Sequence, residues 1–260
     1  MLLLLFVLLG SLTLSAGAAA AESPSGPLVV ELFTSQGCSS CPPAERLLAE
    51  LAKKDSDLLL LSFHVDYWNY LGWEDPFSQA QWSRRQESYA QRLAGGRLYT
   101  PQAVLQGQEQ CVASRASCLN SAIEELRRPS AVPSDAPPAR LEGEVRAQGA
   151  EVVVYVEGQL AGPVGPPLEL EIVAYENELV TAIQSGENAT RTLSHHGVVR
   201  ALRRSATDNK APGGSGRFVV PPAWEAAHVG FAALLRDQRS GRILASWDSG
   251  PGAALSRSDR

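Results

Sequence analysis

Cys38-Ser-Ser-Cys41 places two thiols three positions apart. This spacing suits reversible disulfide chemistry, in which one thiolate attacks an external disulfide and the other resolves the mixed product. The pair follows an apolar run, Leu28 to Phe33, and opens a helix-like segment from Ala44 to Ala52. A thiol at a helix N-terminus faces unpaired N–H groups and the positive end of the helix dipole. Both favour the thiolate, the attacking species. Pro42 and Pro43 fit a first helical turn, where an N–H has no intrahelical partner to lose. The arrangement assigns Cys38 as nucleophile and Cys41 as resolving thiol.

A structural staple and a metal half-site are the competing readings of the pair. A disulfide closing so short a loop restricts the unfolded chain little. A four-cysteine zinc site would need a second close pair, and Cys111 and Cys118 are spaced too widely. No metal site is expected: His64 reads as a satisfied core residue, and His195-His196 are adjacent instead of sharing a helix face. Four cysteines form two local pairs, with expected bridges Cys38–Cys41 and Cys111–Cys118.

Three other segments could serve the thiols. Glu31 is an acid within an apolar strand; buried, its carboxyl would titrate high and could relay a proton for Cys41. An outward-facing or arginine-paired Glu31 is the structural alternative. Thr100-Pro101 precedes a short strand-like run, Ala103 to Gln106, where a cis peptide bond would leave Thr100 to pair with an extended substrate segment. Asp66, Tyr67 and Trp68 follow a second apolar run and are expected at the strand ends beside Cys38, as a substrate wall. Packing of that loop by its own aromatics is the structural alternative.

These residues must be held by a scaffold, and the patterning predicts one. Leu28–Phe33 and Leu58–Val65 read as strands, the second apolar on consecutive positions as in a strand buried on both faces. Pro42–Lys54, Ser78–Leu93 and Ala116–Arg127 read as helices. Strand-helix-strand order implies an α/β layer, and with the CxxC at its first strand–helix junction the layout predicts a thioredoxin-like domain over 22–128. Residues 129–140 are proline-rich and predict a linker. Beyond them the period becomes two, with strands expected in 151–157, 168–175, 196–202, 216–220, 229–235 and 242–247. This predicts an antiparallel β-sandwich-like module over 141–250, then a tail, 251–260.

Residues 1–21 combine an apolar stretch too short for a comfortable membrane span with a small-residue run, the pattern of a secretory signal peptide. The expectation is a periplasmic or secreted protein with no membrane span after cleavage, in a compartment where disulfides persist. The net charge of −5 comes without a basic block, which leaves nucleic-acid binding without electrostatic support. Asn188-Ala-Thr190 also fits a glycosylation sequon.

Several of these stretches carry a resemblance. Val30 to Ala44 with its CxxC, His64-Val-Asp-Tyr-Trp68, Leu71-Gly-Trp73, Asp75-Pro-Phe77 and Tyr99-Thr-Pro-Gln102 resemble a secreted bacterial family, domain of unknown function 1223. Ser185-Gly-Glu-Asn188, Arg191-Thr-Leu193 and Val198-Val-Arg200 resemble its C-terminal half. The resemblance implies a thioredoxin-like domain followed by a β-rich region, and no established substrate. The expected function is an exported thiol–disulfide oxidoreductase that needs no cofactor. Its partners would be a disulfide- or dithiol-containing protein and a redox donor or acceptor. A non-catalytic binding protein with a structural CxxC disulfide, or a Cu(I) carrier using two soft thiolates, are the alternatives.

Overall fold

The computed structural model describes residues 26–128, 139–162, 165 and 167–252. The expected signal segment, positions 129–138 of the expected linker and positions 253–260 of the tail lie outside the described residues. Strand β1 (Leu28–Thr34) leads into helix α1 (Cys41–Lys54), and β2 (Leu58–His64) returns parallel to β1. Helix α2 (Ala80–Leu93), strands β3 (Gln102–Leu105) and β4 (Glu109–Val112) and helix α3 (Ala116–Arg127) follow. Apart from a 3-10 turn at Ala226–His228, the remainder is strands: β5 (Ala139–Gln148), β6 (Glu151–Leu160), β7 (Leu168–Glu176), β8 (Leu179–Ala182), β9 (Thr192–His195), β10 (Val198–Thr207), β11 (Gly213–Val219), β12 (Val229–Asp237) and β13 (Ile243–Asp248). Ala139 and Arg140, expected in the linker, begin β5.

The expected division into a thioredoxin-like α/β domain and a separate β-sandwich-like module is overturned. Strands of both halves share one eight-stranded mixed sheet, in the order β13-β12-β7-β10-β2-β1-β3-β4. The seam lies between β10 and β2, which run parallel with Val198 opposite Ser62. Ser62 secures it twice, its N–H donating to the Gly197 carbonyl and its hydroxyl to the His196 carbonyl, each at 2.7 Å. Gly197 has a φ of +63°, and a Cβ there would lie 2.1 Å from the Leu60 carbonyl oxygen. Only glycine permits so close an approach of the two backbones. Period-two patterning identifies strands but says nothing about which sheet they join.

Three apolar clusters cover the faces of this sheet. On one face, Val29 and Phe33 of β1 pack with Leu59, Leu61 and Phe63 of β2 and with Val173, Ala232 and Leu234 from the C-terminal half, beneath Trp82 and Tyr89 of α2. This cluster bridges the seam, so the two halves bury apolar surface in common. On the other face, Val30 and Leu32 pack with Ala44 and Leu48 of α1 and Leu119 and Ile123 of α3. Farther along that sheet, β7 and β12 pack through Leu170, Ile172, Phe231 and Ala233 against Val152, Val154 and Phe218 of a three-stranded sheet, β11-β6-β5. The β8–β9 hairpin forms a third, two-stranded sheet.

Candidate functional site

Side chains alternate across β1, and that alternation separates two sets of buried polar groups. Thr34, Val30 and Leu32 face α1, whereas Val29, Glu31 and Phe33 face α2. Glu31 is therefore on the wrong face to relay a proton to Cys41, which begins α1. Its carboxylate pairs with Arg85 of α2, Nε to Oε1 at 3.0 Å, and accepts from the Tyr89 hydroxyl. Arg85 also binds Glu171 of β7 through two bonds of 2.7 Å, and Arg236 of β12 reaches Glu171 at 3.2 Å. The group is an ionic clasp between the two halves. Burial raises the Glu171 carboxyl, but Arg85, Arg236 and Arg204 outweigh it and hold the group well below the usual carboxylate range.

Cys38 and Cys41 are joined as a disulfide with their Cα atoms 5.5 Å apart. Helix α1 starts at Cys41, with Pro42 and Pro43 in its first turn, and Ser40 occupies the N-cap without a side-chain cap bond. The Ser40 hydroxyl lies instead 3.3 Å from Cys38 Sγ. The Thr100 hydroxyl donates to the same sulfur at 3.2 Å while accepting from the Trp68 indole at 2.8 Å. The Thr100–Pro101 peptide bond is cis, as the sequence suggested. Two hydroxyls thus converge on Cys38, and none reaches Cys41 Sγ among the described residues.

The expected aromatic wall divides. Trp68 reaches the site through Thr100. The Tyr67 hydroxyl donates to Gln86 at 3.0 Å and sits beside Thr100 and Trp68, and burial pushes its phenol up to about 12. Asp66 does not join them: its carboxylate and N–H are both bonded to Ser83 of α2. It anchors that helix. Cys111 and Cys118 are free thiols, so the second expected bridge is absent. Cys111 lies in β4 and Cys118 at the start of α3, near enough to hydrogen-bond without bonding covalently. Burial, reinforced by Cys118, pushes the Cys111 thiol up to about 12.

The sequence reading missed a wall supplied by the C-terminal half. The loop between β8 and β9 lies over the disulfide: the Asn188 amide donates to the carbonyls of Gln36 and Cys38 at 2.8 and 3.0 Å. The Ser39 N–H donates to the Glu187 carboxylate at 3.1 Å. Cys38 is 2% exposed, while Ser39 and Ser40 stand open to solvent. Asn188 is itself wholly buried, which removes the surface position that a glycosylation sequon needs.

Beneath the disulfide lies a buried acid–base cluster. Glu45 sits one turn beyond Cys41 on α1; it accepts from the Thr34 hydroxyl at 2.6 Å and pairs with His195 Nδ1 at 2.5 Å. His195 Nε2 is 3.0 Å from Gln36 Nε2, and the Trp73 indole donates to Gln36 Oε1 at 2.9 Å. The indole holds the amide oxygen, so the amide NH2 faces His195; Nε2 accepts and Nδ1 carries the proton toward Glu45. His64 Nδ1 pairs with Asp75 at 2.7 Å, and Asp75 also accepts the Gln36 N–H at 2.8 Å. Burial raises the Glu45 carboxyl, but His195 and His64 outweigh it and lower the group. Burial lowers His64, but Asp75 and Glu45 prevail and raise it. Among the described residues, Glu45, His64 and His195 are the three side chains whose donor atoms lie within 4.8 Å of one another. Glu45 was traceable through its i+4 spacing from Cys41. His195, 150 positions farther on, carried no such signal.

With this geometry, the chain belongs to the DUF1223 family of proteins of unknown function, matching it over residues 29–236. Among solved structures it is similar to a protein from Agrobacterium tumefaciens at 25% identity and a TM-score of 0.66, covering 89% of this chain and 96% of that one. HBP35 of Porphyromonas gingivalis is similar in fold, with a TM-score of 0.67 at 14% identity, covering 92% of this chain and 79% of that one. A search of curated proteins found no match.

Proposed function

We propose that the chain is an exported thiol–disulfide oxidoreductase acting through Cys38 and Cys41. The carrying observation is the convergence of the Thr100 and Ser40 hydroxyls on Cys38 Sγ. Hydroxyl donors aimed at a sulfur favour its thiolate over its thiol, and they single out Cys38. The signal-like pattern of residues 1–21 supports export, which would put the pair where disulfides persist.

In the reducing direction, the Cys38 thiolate attacks one sulfur of a substrate disulfide, and the other substrate sulfur leaves as a thiolate. The Cys41 thiolate then attacks Cys38 Sγ, re-forming the intramolecular bond and releasing the second substrate thiolate. Two electrons pass to the substrate and two protons are taken up from solvent. Oxidation of a dithiol runs the same steps backwards.

The test follows reduction of a disulfide-containing peptide with dithiothreitol as electron donor. Wild type is expected to accelerate it, Cys38→Ser to abolish the acceleration, and Cys41→Ser to accumulate a mixed disulfide visible by mass spectrometry. Equal rates for wild type and Cys38→Ser would overturn the proposal.

The cover over Cys38 favours a second reading, a binding protein whose disulfide is structural. Asn188 bonds the Gln36 and Cys38 carbonyls, and Glu187 bonds the Ser39 N–H. On that reading the disulfide of the folded protein resists dithiothreitol until the chain unfolds.

A further inference from the structure

We propose that Glu45, His64 and His195 form a binding site for one divalent transition-metal cation of the zinc class, independent of thiol exchange. The argument starts from His64. Its Nδ1 faces a carboxylate that can only accept, so that nitrogen carries a proton. Its Nε2 is fully buried and has no hydrogen-bond partner among the described residues. A polar atom left so in a protein interior carries the full cost of its lost hydration.

The nearby groups cannot satisfy a bare lone pair on that nitrogen. The Glu45 carboxylate only accepts, and the proton of His195 is already given to it. The His64 and His195 rings lie 5.2 Å apart, edge to face. With Nε2 unprotonated, two acceptors face one another with no donor between them, and a cation resolves the conflict. Two imidazoles and one carboxylate suit zinc chemistry, whereas calcium and magnesium prefer all-oxygen sites. His64 is braced as a metal-bound imidazole is, its far N–H donating to Asp75, and the far nitrogen of His195 is held by the Gln36 amide. Donor atoms within 4.8 Å need to draw in only modestly to make bonds of about 2.0–2.2 Å. Binding requires His195 to free Nδ1 and carry its proton on Nε2, so the Gln36 amide must turn to accept it and give up its bond from the Trp73 indole. Any proton on His64 Nε2 passes to buffer, so affinity rises with pH.

The experiment is calorimetric titration of the chain with Zn2+, keeping Cys38–Cys41 oxidised and Cys111 and Cys118 replaced by serine to exclude sulfur ligands. Expected are one-to-one binding, no response to Mg2+, and at least about 100-fold weaker binding in a folded His64→Gln variant. Zinc-edge X-ray absorption of the loaded protein with native histidines and cysteines, expected to show nitrogen and oxygen neighbours without sulfur, needs no variant to fold. Absence of stoichiometric binding, affinity unchanged by His64→Gln, or a sulfur neighbour overturns the proposal. In the first case His64 holds a proton in place of a metal.

Discussion

The two faces of β1 each bury charge, and they do so differently. On the α2 face, Glu31, Arg85, Glu171 and Arg236 pair with one another across the seam, and each is partnered. On the α1 face, Glu45 and His195 pair, as do His64 and Asp75, yet His64 Nε2 has no partner among the described residues and a disulfide sits at the rim. Buried ionisable groups cluster at functional sites, but structural ion networks also shift titration. What separates these two sets of ionisable groups is satisfaction: the closed network holds the fold, and the open one has capacity left for a ligand.

The largest effect expected from this contrast is structural. Arg85→Met leaves the carboxylates of Glu31 and Glu171 short of their principal cation, and should cost about 3–5 kcal/mol of unfolding free energy by urea titration. The folded fraction should keep the wild-type rate of Cys38–Cys41 reduction. A variant as stable as wild type would deny the clasp its role, and slowed reduction would show that the two faces are coupled.

Thr100→Val acts on the other face and should act on rate. Removing a hydroxyl that donates to Cys38 Sγ is expected to slow alkylation of the reduced Cys38 thiolate by roughly tenfold at neutral pH, the worth of a weak charge-assisted bond. Stability should fall by about 1–2 kcal/mol, because the Trp68 indole loses its acceptor. The contrast breaks if the variant loses stability like Arg85→Met and retains its alkylation rate.

A smaller effect is expected in acid. Glu171 has a depressed folded-state pKa against a reference of 4.5. Its stabilising contribution is present above that reference and is lost as pH falls below it toward the folded value. Urea midpoints measured from pH 6 down through acid should decline along this limb, and Glu171→Gln should flatten the decline. An unchanged slope in the variant would assign the acid sensitivity to other groups.

The helices and most strands were readable because apolar periodicity is local. Helix α3 spans Ala116–Arg127 as patterned, and α1 and α2 differ from expectation by one or two residues at their starts. Strand β4 and the β8–β9 hairpin escaped notice because four-residue segments carry too little pattern, and the ten-residue β5 because few apolar residues punctuate its charged ones. At the site, Cys38, Cys41, Thr100, Pro101 and Trp68 were legible from motif and position. The misassigned Glu31 shows the limit: an acid in an apolar strand is visible in sequence, but the face it points to depends on register and packing.

For the Cys38-Ser-Ser-Cys41 segment, the sequence by itself determined the thiol spacing, the helix it opens and the prolines that start that helix, because each follows from residues within one turn. Tertiary structure alone decided that β10 joins β2, that Asn188 and Glu187 cover the disulfide, and that His195 meets Glu45 and His64 beneath it. Those contacts join residues more than a hundred positions apart. They depend on which strand edges pair, and strand edges pair through backbone groups that every sequence shares.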